Sequence, residues 1–291
     1  MQPQLVIEAR QRDVGGFFVR RVLPSAQQKL VGPFIFYDHL CRVDFAPGQG
    51  LDVRPHPHIG LATVTYLFEG AFLHRDNLGY AQLIRPGDVN WMIAGRGIAH
   101  SERTPPELRE AGGPLHGIQC WVALPLEHEE IAPSFMHHAA STIPQVTRPG
   151  ARLSVIAGTA YGAKSPVKVL SPTLYVHAQL DPGATLEVDG EHAERAVYVA
   201  AGVISLAQGG PEYGEGTLLV LTANERVELF SQPGARVMLL GGAPLEGARH
   251  IYWNFVSSSL ERLEKAKGDW QDGRFAKIPG DDVEYIPLPE T

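Results

Sequence analysis

The sequence predicts an all-β protein of two β-barrel or jelly-roll domains, followed by a C-terminal α-helix. Short β-branched and aromatic runs alternate with turn residues, and 31 glycines and 23 prolines in 291 residues favour many strands joined by turns. The two halves of the chain also resemble each other, and only the tail has helical spacing. A chain of this length fits two domains, which we place at residues 1–135 and 136–291.

The first series of predicted strands runs from Leu5 to about Ala123. Its members are VIEAR, FFVRRVL, FIFYDHL, TVTYLFEGAFLHRD, AQLIRPGDVNWMI and HGIQCWVAL. A stretch with proline and histidine but weak periodicity, Pro125 to Pro149, is predicted to connect the domains. The second series, from Arg152 to Leu240, comprises RLSVIAG, TLYVHAQL, ATLEVDG, RAVYVAAGVISLA, TLLVLTA, RVELFS and RVMLLGG.

The two series indicate a duplicated β-domain. The segment TVTYLFEGAFLHRD resembles RAVYVAAGVISLAQ, with Tyr66 and Gly70 in the places of Tyr198 and Gly202. A weaker similarity relates RPGDVNWM to YGEGTLLVL. Duplication of one β-domain is the simplest explanation for both similarities.

The tail is predicted to form one amphipathic helix from Ser259 to Asp272. The run Ser258 to Glu261 offers a capping box, and Leu260, Leu263 and Trp270 follow near helical spacing. Such an apolar stripe is typical of a helix that packs on the outside of a barrel.

Composition excludes several classes of function. The net charge is −7 and no run of lysine or arginine occurs, so direct binding to nucleic acid is not expected. No secretory signal or apolar run of about 20 residues occurs, so we expect a cytoplasmic protein without membrane contact. Cys41 and Cys120 lie in apolar surroundings and are expected to be buried, reduced thiols. No exposed apolar stripe is evident, so a monomer is expected.

Two pairs of metal-ligating residues carry the chemistry. His56-Pro57-His58 alone is uninformative, because 12 histidines produce about half such a pair by chance. The spacing recurs at His100-Ser101-Glu102. Residues at i and i+2 of a strand project from one face with Cα atoms about 7 Å apart, so two neighbouring strands can supply three imidazoles and a carboxylate to one ion. This ligand set suits Fe, Mn, Ni, Co, Cu or Zn rather than Ca or Mg.

The two ligand pairs and the surrounding glycines favour the metal site over histidines on a surface loop. Gly95 and Gly97 predict a tight turn that returns His100 to the barrel. Pro57 lacks an N–H, so its strand should be irregular or lie at the edge of a sheet.

The same region resembles the two sequence motifs of the cupin superfamily. Gly50, His56, His58 and Gly70 have the spacing of the first motif, with Thr63 in place of its usual glutamate. In the second motif Gly87 and Gly95 fit, Ile93 replaces a proline and His100 comes two residues late. This variant, with its acid at Glu102, resembles the pattern of the pirin family. The segments HPHIGLATVTYLFEG, HRDNLG, PGDVNWMIAGRGIAHSE and YWNFVSSSLERLEKAKGDW extend the similarity over nearly the whole chain.

The resemblance implies a bicupin that holds one divalent transition metal per chain. Its ligands would be His56, His58, His100 and Glu102, and Fe(II) is the metal expected, with Ni, Mn, Co, Cu or Zn as alternatives. Ile59 replaces an arginine common in the family. In the second barrel only His192 and Glu194 are available as ligands, and we expect no metal there.

Other polar residues have more ordinary interpretations. His74 is expected to bond to Asp76 rather than to a metal. His116 and Gln119 are candidates for holding a ligand or water from behind. His137 and His138 are expected to be solvated in the connection between domains.

The resemblance to quercetinases implies an enzyme, a flavonol dioxygenase that opens the heterocycle with O₂. Glu102 would act as general base toward the substrate hydroxyl. An apolar lining from Phe34, Phe36, Trp91 and Ile93 would suit a flat aromatic substrate.

Two further functions remain open at this point. A metal- or redox-responsive regulator would act through a transcription factor or a metabolic enzyme as protein partner. A storage or structural bicupin with a relic metal site is disfavoured, because a relic should lose ligands first.

Overall fold

The structure, a computed structural model, describes residues 2–14 and 17–290. These residues form two compact units. The "amino unit" contains residues 13–14, 17–18, 40–140 and 246–290, and the "carboxyl unit" contains residues 2–12, 19–39 and 141–245. Each unit therefore includes a terminal segment that the division at residue 135 assigned to the other. Strand pairing explains this grouping, because the first strand of the chain pairs within the carboxyl unit.

The carboxyl unit is a β-barrel filled with apolar side chains. Its strands, numbered in chain order, are β1 (Leu5–Glu8), β13 (Gln145–Arg148), β14 (Ala151–Ala160), β15 (Ala163–Lys164), β16 (Thr173–Leu180), β17 (Ala184–Val188), β18 (Glu194–Ser205), β19 (Glu212–Gly214), β20 (Thr217–Val220), β21 (Val227–Ser231) and β22 (Ala235–Gly242). The main sheet has the order β1-β20-β18-β22-β16-β14-β13. Leucine, valine, isoleucine and alanine side chains on its inner face form one buried core.

Three strands near the start of the chain are neighbours in the order β4-β3-β2. They are β2 (Arg10–Asp13), β3 (Phe18–Leu23) and β4 (Phe34–Phe45). The residues of β3 and β4 are divided between the two units.

The amino unit contains two antiparallel sheets that face each other. Its strands are β5 (Asp52–His58), β6 (Leu61–Glu69), β7 (Phe72–Asp76), β8 (Ala81–Ile84), β9 (Val89–Ile93), β10 (Ile98–Arg103), β11 (Gly113–Ala123) and β12 (Ser134–His138). One sheet has the order β5-β10-β7-β8, and the other includes β12-β9-β6-β11. A short helix, α1 (Pro106–Ala111), lies between β10 and β11. Strand β12 shows that His137 and His138, expected to be solvated in a connection, are half-buried members of a sheet.

The tail of the chain packs on the amino unit. It forms β23 (His250–Tyr252), β24 (Phe255–Ser257) and α2 (Leu260–Gln271). Ser259 caps the helix by accepting a hydrogen bond from the Arg262 N–H, whereas Ser258 donates to Glu129. The expected helix is therefore confirmed, but Glu261 does not complete a capping box with Ser258. Of the helix residues, Leu263 and Ala266 are buried against Ile59 and Phe255, whereas Leu260 is exposed.

The two units share equivalent backbone features, as expected from a duplicated domain. Gly70 and Gly202 both have left-handed backbone, with φ of 81° and 78°. A β-carbon added at Gly70 would lie 2.4 Å from the carbonyl oxygen of Pro114, and one at Gly202 would lie 2.3 Å from that of Gly234. Only glycine fits at such a close approach.

The second, weaker similarity also corresponds to a shared contact. The Gly87 N–H donates to the Leu67 carbonyl, and the Gly216 N–H donates to the Val199 carbonyl.

Among the described residues, neither helix is long and apolar enough to cross a membrane.

Candidate metal centre

The histidines of both predicted pairs meet inside the amino unit. His56 and His58 end strand β5, and His100 lies directly opposite His56 on β10. The side-chain nitrogens that could bind a metal all lie within 4.8 Å of one another, and all three residues are buried. The i, i+2 spacing and the pairing of β5 with β10 therefore place three imidazoles at one point.

Local sequence explains this geometry. The turn between β9 and β10 has left-handed backbone at Gly95 and Gly97, with φ of 50° and 147°. Strand β5 lies at the edge of its sheet, as expected for a strand that contains Pro57. Both sequence-based predictions are confirmed.

Hydrogen bonds direct the Nε2 atoms of His56 and His58 toward the common point. The His56 Nδ1–H donates to the Arg54 carbonyl at 2.8 Å, and the His58 Nδ1–H donates to the Asn254 carbonyl at 3.2 Å. A neutral imidazole with its proton on Nδ1 keeps a lone pair on Nε2 for a metal. Two backbone carbonyls thus select the metal-binding tautomer.

His100 is held by a longer chain of hydrogen bonds. His100 Nδ1 lies 3.4 Å from His74 Nδ1, and the His74 Nε2–H donates to Asp76 Oδ2 at 3.0 Å. Asp76 Oδ1 in turn accepts the backbone N–H groups of Leu78 and Tyr80. The predicted bond between His74 and Asp76 is confirmed, and it extends to His100.

The donor set fits a transition metal. His58 Nε2 and His100 Nε2 are 3.1 Å apart. Two ligands at a right angle, each about 2.1 Å from a metal, are separated by about 3.0 Å. With both protons on Nδ1, the facing lone pairs repel each other unless a cation lies between them.

Burial keeps these imidazoles neutral. Desolvation lowers the pKa of His58 and His100 well below the usual value, and the neighbouring imidazoles lower it further. Desolvation also lowers the pKa of His56, against an opposing contribution from its bond to the Arg54 carbonyl. Neutral imidazole is the form that binds metals.

Glu102 lies buried on the same strand as His100. Its carboxylate accepts hydrogen bonds from Thr65 Oγ1 at 2.9 Å and from Gln119 Nε2 at 2.5 Å. Gln119 therefore bonds to the predicted ligand Glu102, and its role in holding a metal ligand stays a prediction. His116 instead lies with its Nδ1 3.6 Å from Glu69 Oε1, and its ring packs on Phe68.

The register of the second sheet places two transverse rows of side chains opposite the imidazoles. Directly paired residues of antiparallel strands point to the same face. The first, the "polar row", is His137, Asn90, Thr65 and Gln119 on β12, β9, β6 and β11. The second, the "aromatic row", is Phe135, Met92, Thr63 and Trp121 on the same strands.

Two ring contacts confirm which way the aromatic row faces. Phe135 stacks on His74 with ring centroids 4.3 Å apart, and Trp121 packs edge-on against His58 at 5.3 Å. Sequence reasoning missed these aromatic residues. No local pattern could have indicated them, because the register between strands decides which face they occupy.

The apolar lining expected from the sequence is wrong in its residues. Trp91 and Ile93 pair with Val64 and Ala62, so they point away from the face that carries Thr63. Phe34 and Phe36 pack elsewhere: Phe34 lies on Tyr175, and Phe36 lies beneath the Arg21 guanidinium.

The alternative ligand pair in the carboxyl unit has other contacts. His192 Nε2 lies 3.0 Å from the Thr159 carbonyl, and the Glu194 carboxylate accepts the Gly32 N–H at 2.6 Å. The interior of that barrel is apolar.

Two successive β-barrels, with a buried histidine cluster in one of them, define a two-domain cupin. The model of the pirin family matches residues 16–122, and that of the pirin C-terminal cupin domain matches residues 175–276. The chain is 51% identical over 290 residues to a pirin-like protein of Caulobacter vibrioides, covering 98% of this chain and 99% of that protein. The chain belongs to the pirin family.

Solved structures share this fold. Quercetin 2,3-dioxygenase from Acinetobacter baumannii is similar with a TM-score of 0.91 and 33% identity, over 99% of this chain and 95% of that one. A bacterial pirin from Escherichia coli, crystallised in complex with nickel(II), has a TM-score of 0.64 and 18% identity, over 83% and 99% of the two chains.

Proposed function

We propose that this pirin is a metal-dependent dioxygenase of the quercetinase type, which acts on a flavonol-like substrate with O₂. The observation that carries the proposal is the convergence of three buried, neutral imidazoles opposite the polar and aromatic rows. The similarity to the Acinetobacter quercetin 2,3-dioxygenase supports the same substrate class.

In this proposal His56, His58 and His100 hold one Fe(II), and Glu102 is the fourth ligand. Nickel is an alternative, since a bacterial pirin was crystallised with it. A bound metal supplies Lewis acidity toward substrate oxygens and the electron exchange that O₂ chemistry requires. Hydrogen bonds from Thr65 and Gln119 hold the Glu102 carboxylate in place.

Glu102 also acts as the general base. One carboxylate oxygen takes the proton of the substrate hydroxyl, while the hydrogen bonds from Thr65 and Gln119 hold the group in place. Phe135, Met92 and Trp121 contact the flat rings of the substrate and exclude water from the reacting atoms.

Oxygen consumption by Fe(II)-loaded protein with quercetin tests this function. We expect turnover by the parent, and His58→Ala should fall to the rate of metal-free protein because one of three imidazoles is lost. His138→Ala is the matched control, because His138 neighbours the site-facing His137 but points to the other face of β12. Turnover by His58→Ala at the parental rate would exclude a metal-centred reaction.

A further inference from the structure

One side-chain donor of the polar row has no hydrogen-bond partner among the described residues. Gln119 and Thr65 both donate to Glu102, and His137 bonds to Asn90. Asn90 Oδ1 is 2.8 Å from His137 Nδ1, so the ring nitrogen donates and the amide oxygen accepts. Asn90 Nδ2 is buried and has no hydrogen-bond partner among the described residues.

The direction of this amide follows from strand register. Asn90 lies directly opposite Thr65, whose hydroxyl reaches Glu102, so both side chains project from the same face toward the metal centre. Neighbouring strands are about 4.8 Å apart, which places Asn90 one strand beyond the bond between Thr65 and Glu102. Only 4% of the Asn90 surface is exposed.

We propose that Asn90 Nδ2 donates a hydrogen bond to an oxygen of the ligand bound at the metal centre, and that His137 is the residue that positions it. This proposal rests on the proposed function. It identifies the group that recognises an oxygen substituent of the aromatic substrate. A buried N–H without an acceptor is unfavourable, and a ligand oxygen would satisfy it.

The neighbouring side chains indicate what kind of oxygen fits. The adjacent aromatic row offers Met92 and Phe135 for contact with a flat ring. The Glu102 carboxylate lies on the other side of Thr65 and disfavours a second negative charge. A neutral carbonyl or hydroxyl oxygen on an aromatic ring is therefore the expected acceptor.

His137 is suited to hold the amide in this orientation. Its Nδ1–H fixes the Asn90 oxygen, which leaves the NH₂ group directed away from β12. Its other nitrogen, Nε2, lies 3.8 Å from Asp88 Oδ2. Asp88 is itself fixed by accepting the backbone N–H groups of Arg85 and Ala140.

Equilibrium binding of quercetin to zinc-loaded protein without oxygen tests the proposal apart from turnover. Asn90→Ala should raise the Kd between about 2-fold and 12-fold, the value of one neutral hydrogen bond. Asn90→Asp, at mildly alkaline pH, should weaken binding at least as much, because a carboxylate only accepts. Metal content at the end of each titration verifies that the site remains loaded.

The role of His137 has a separate signature. His137→Leu should weaken quercetin binding to the level of Asn90→Ala, and His137→Asn should restore it. The asparagine amide nitrogen is attached to Cγ, as is His Nδ1, so the donor to Asn90 is kept. His138→Leu is the control on the opposite face of β12 and should bind as the parent does.

The outcomes distinguish failure of the role proposed for Asn90 from failure of the proposed dioxygenase function. Parental Kd values for Asn90→Ala and Asn90→Asp would overturn the role of Asn90, even if the Fe(II) protein turns over quercetin. Retained binding by Asn90→Asp alone would overturn the assignment of a donor. Quercetin that binds with the expected pattern but is not oxidised would overturn only the dioxygenase. A parent that does not bind quercetin would overturn both.

Discussion

Asp76 and His74 form a hydrogen-bonded chain that ends on His100. Asp76 is fixed by two backbone N–H groups of the turn after β7, so it holds His74, which in turn accepts the His100 Nδ1–H. Groups that hold a ligand imidazole from behind set its orientation and its basicity.

Asp76→Asn should lower the affinity for Zn(II) by about 10- to 100-fold. The new amide keeps an oxygen for the turn but places an NH₂ group against the His74 Nε2–H. Competition with a chelator measures the affinity. Asp88→Asn is the matched control, because Asp88 also accepts two backbone N–H groups but lies beside His137. Equal affinities for the two variants would contradict this role of Asp76.

The neutral imidazoles should make the metal-free protein sensitive to acid. Burial lowers the pKa of His58 and His100 in the folded state, whereas the unfolded chain titrates near 6.5. Below that pH the unfolded state binds more protons, so the free energy of unfolding falls as pH falls. The expected loss is about 1.4 kcal/mol per pH unit for each such histidine.

Urea denaturation of metal-free protein at several pH values below 6.5 measures this loss of unfolding free energy. His100→Gln removes one buried imidazole. The slope of the unfolding free energy against pH should therefore fall by the equivalent of about one proton. An unchanged slope would show that His100 is not held neutral by the fold.

At the scale of elements, the turn between β5 and β6 is fitted against the tail. Gly60 has φ of 69°, and an added β-carbon would lie 2.0 Å from the carbonyl oxygen of Val256 in β24. The Val256 N–H also donates to the Ile59 carbonyl. A side chain at Gly60 would therefore push the tail from the strand that carries His56 and His58.

Gly60→Ala should destabilise the fold more than Gly273→Ala does. Gly273 has nearly the same backbone, with φ of 68°, but an added β-carbon there meets nothing within 4 Å. Gly273→Ala, the control, should lower the free energy of unfolding by about 1 kcal/mol, because its backbone is left-handed. Gly60→Ala should lower it by at least about 2 kcal/mol more. Thermal and urea denaturation measure both values. Equal losses would show that the contact with Val256 relaxes freely.

At the scale of the molecule, the tail is part of the unit that contains the three imidazoles. The Asn254 carbonyl fixes the His58 tautomer, and a buried ion pair between Arg249 and Glu129 anchors the segment at 2.7 Å. The Ile286 N–H adds a bond to the Pro55 carbonyl at the free edge of β5. The tail thus covers the edge strand that carries His56 and His58.

A chain ending at Leu245 should lose its metal, although it keeps His56, His58, His100 and Glu102. A chain ending at Gln271 is the control, because it retains Asn254, Arg249 and the helix and should keep one metal with reduced stability. Elemental analysis after gel filtration measures the stoichiometry. Full metal content in the shorter chain would contradict the structural role of the tail.

The sequence by itself determined the strands, the duplicated domain, the helix and the three imidazoles. Alternation along a strand is local, so His56 and His58 had to share a face whatever the rest of the chain did. The left-handed glycines around them fixed the turns that bring His100 back.

Only the tertiary structure decided what faces the imidazoles. Trp91 and Trp121 are both strand aromatics, yet Trp121 packs on His58 and Trp91 points to the other face. The partners of His58 and His100, Asn254 and His74, come from distant or separate elements. Register between strands is set by packing across the barrel, and a shift of one residue would exchange the two faces, so no local pattern specifies it.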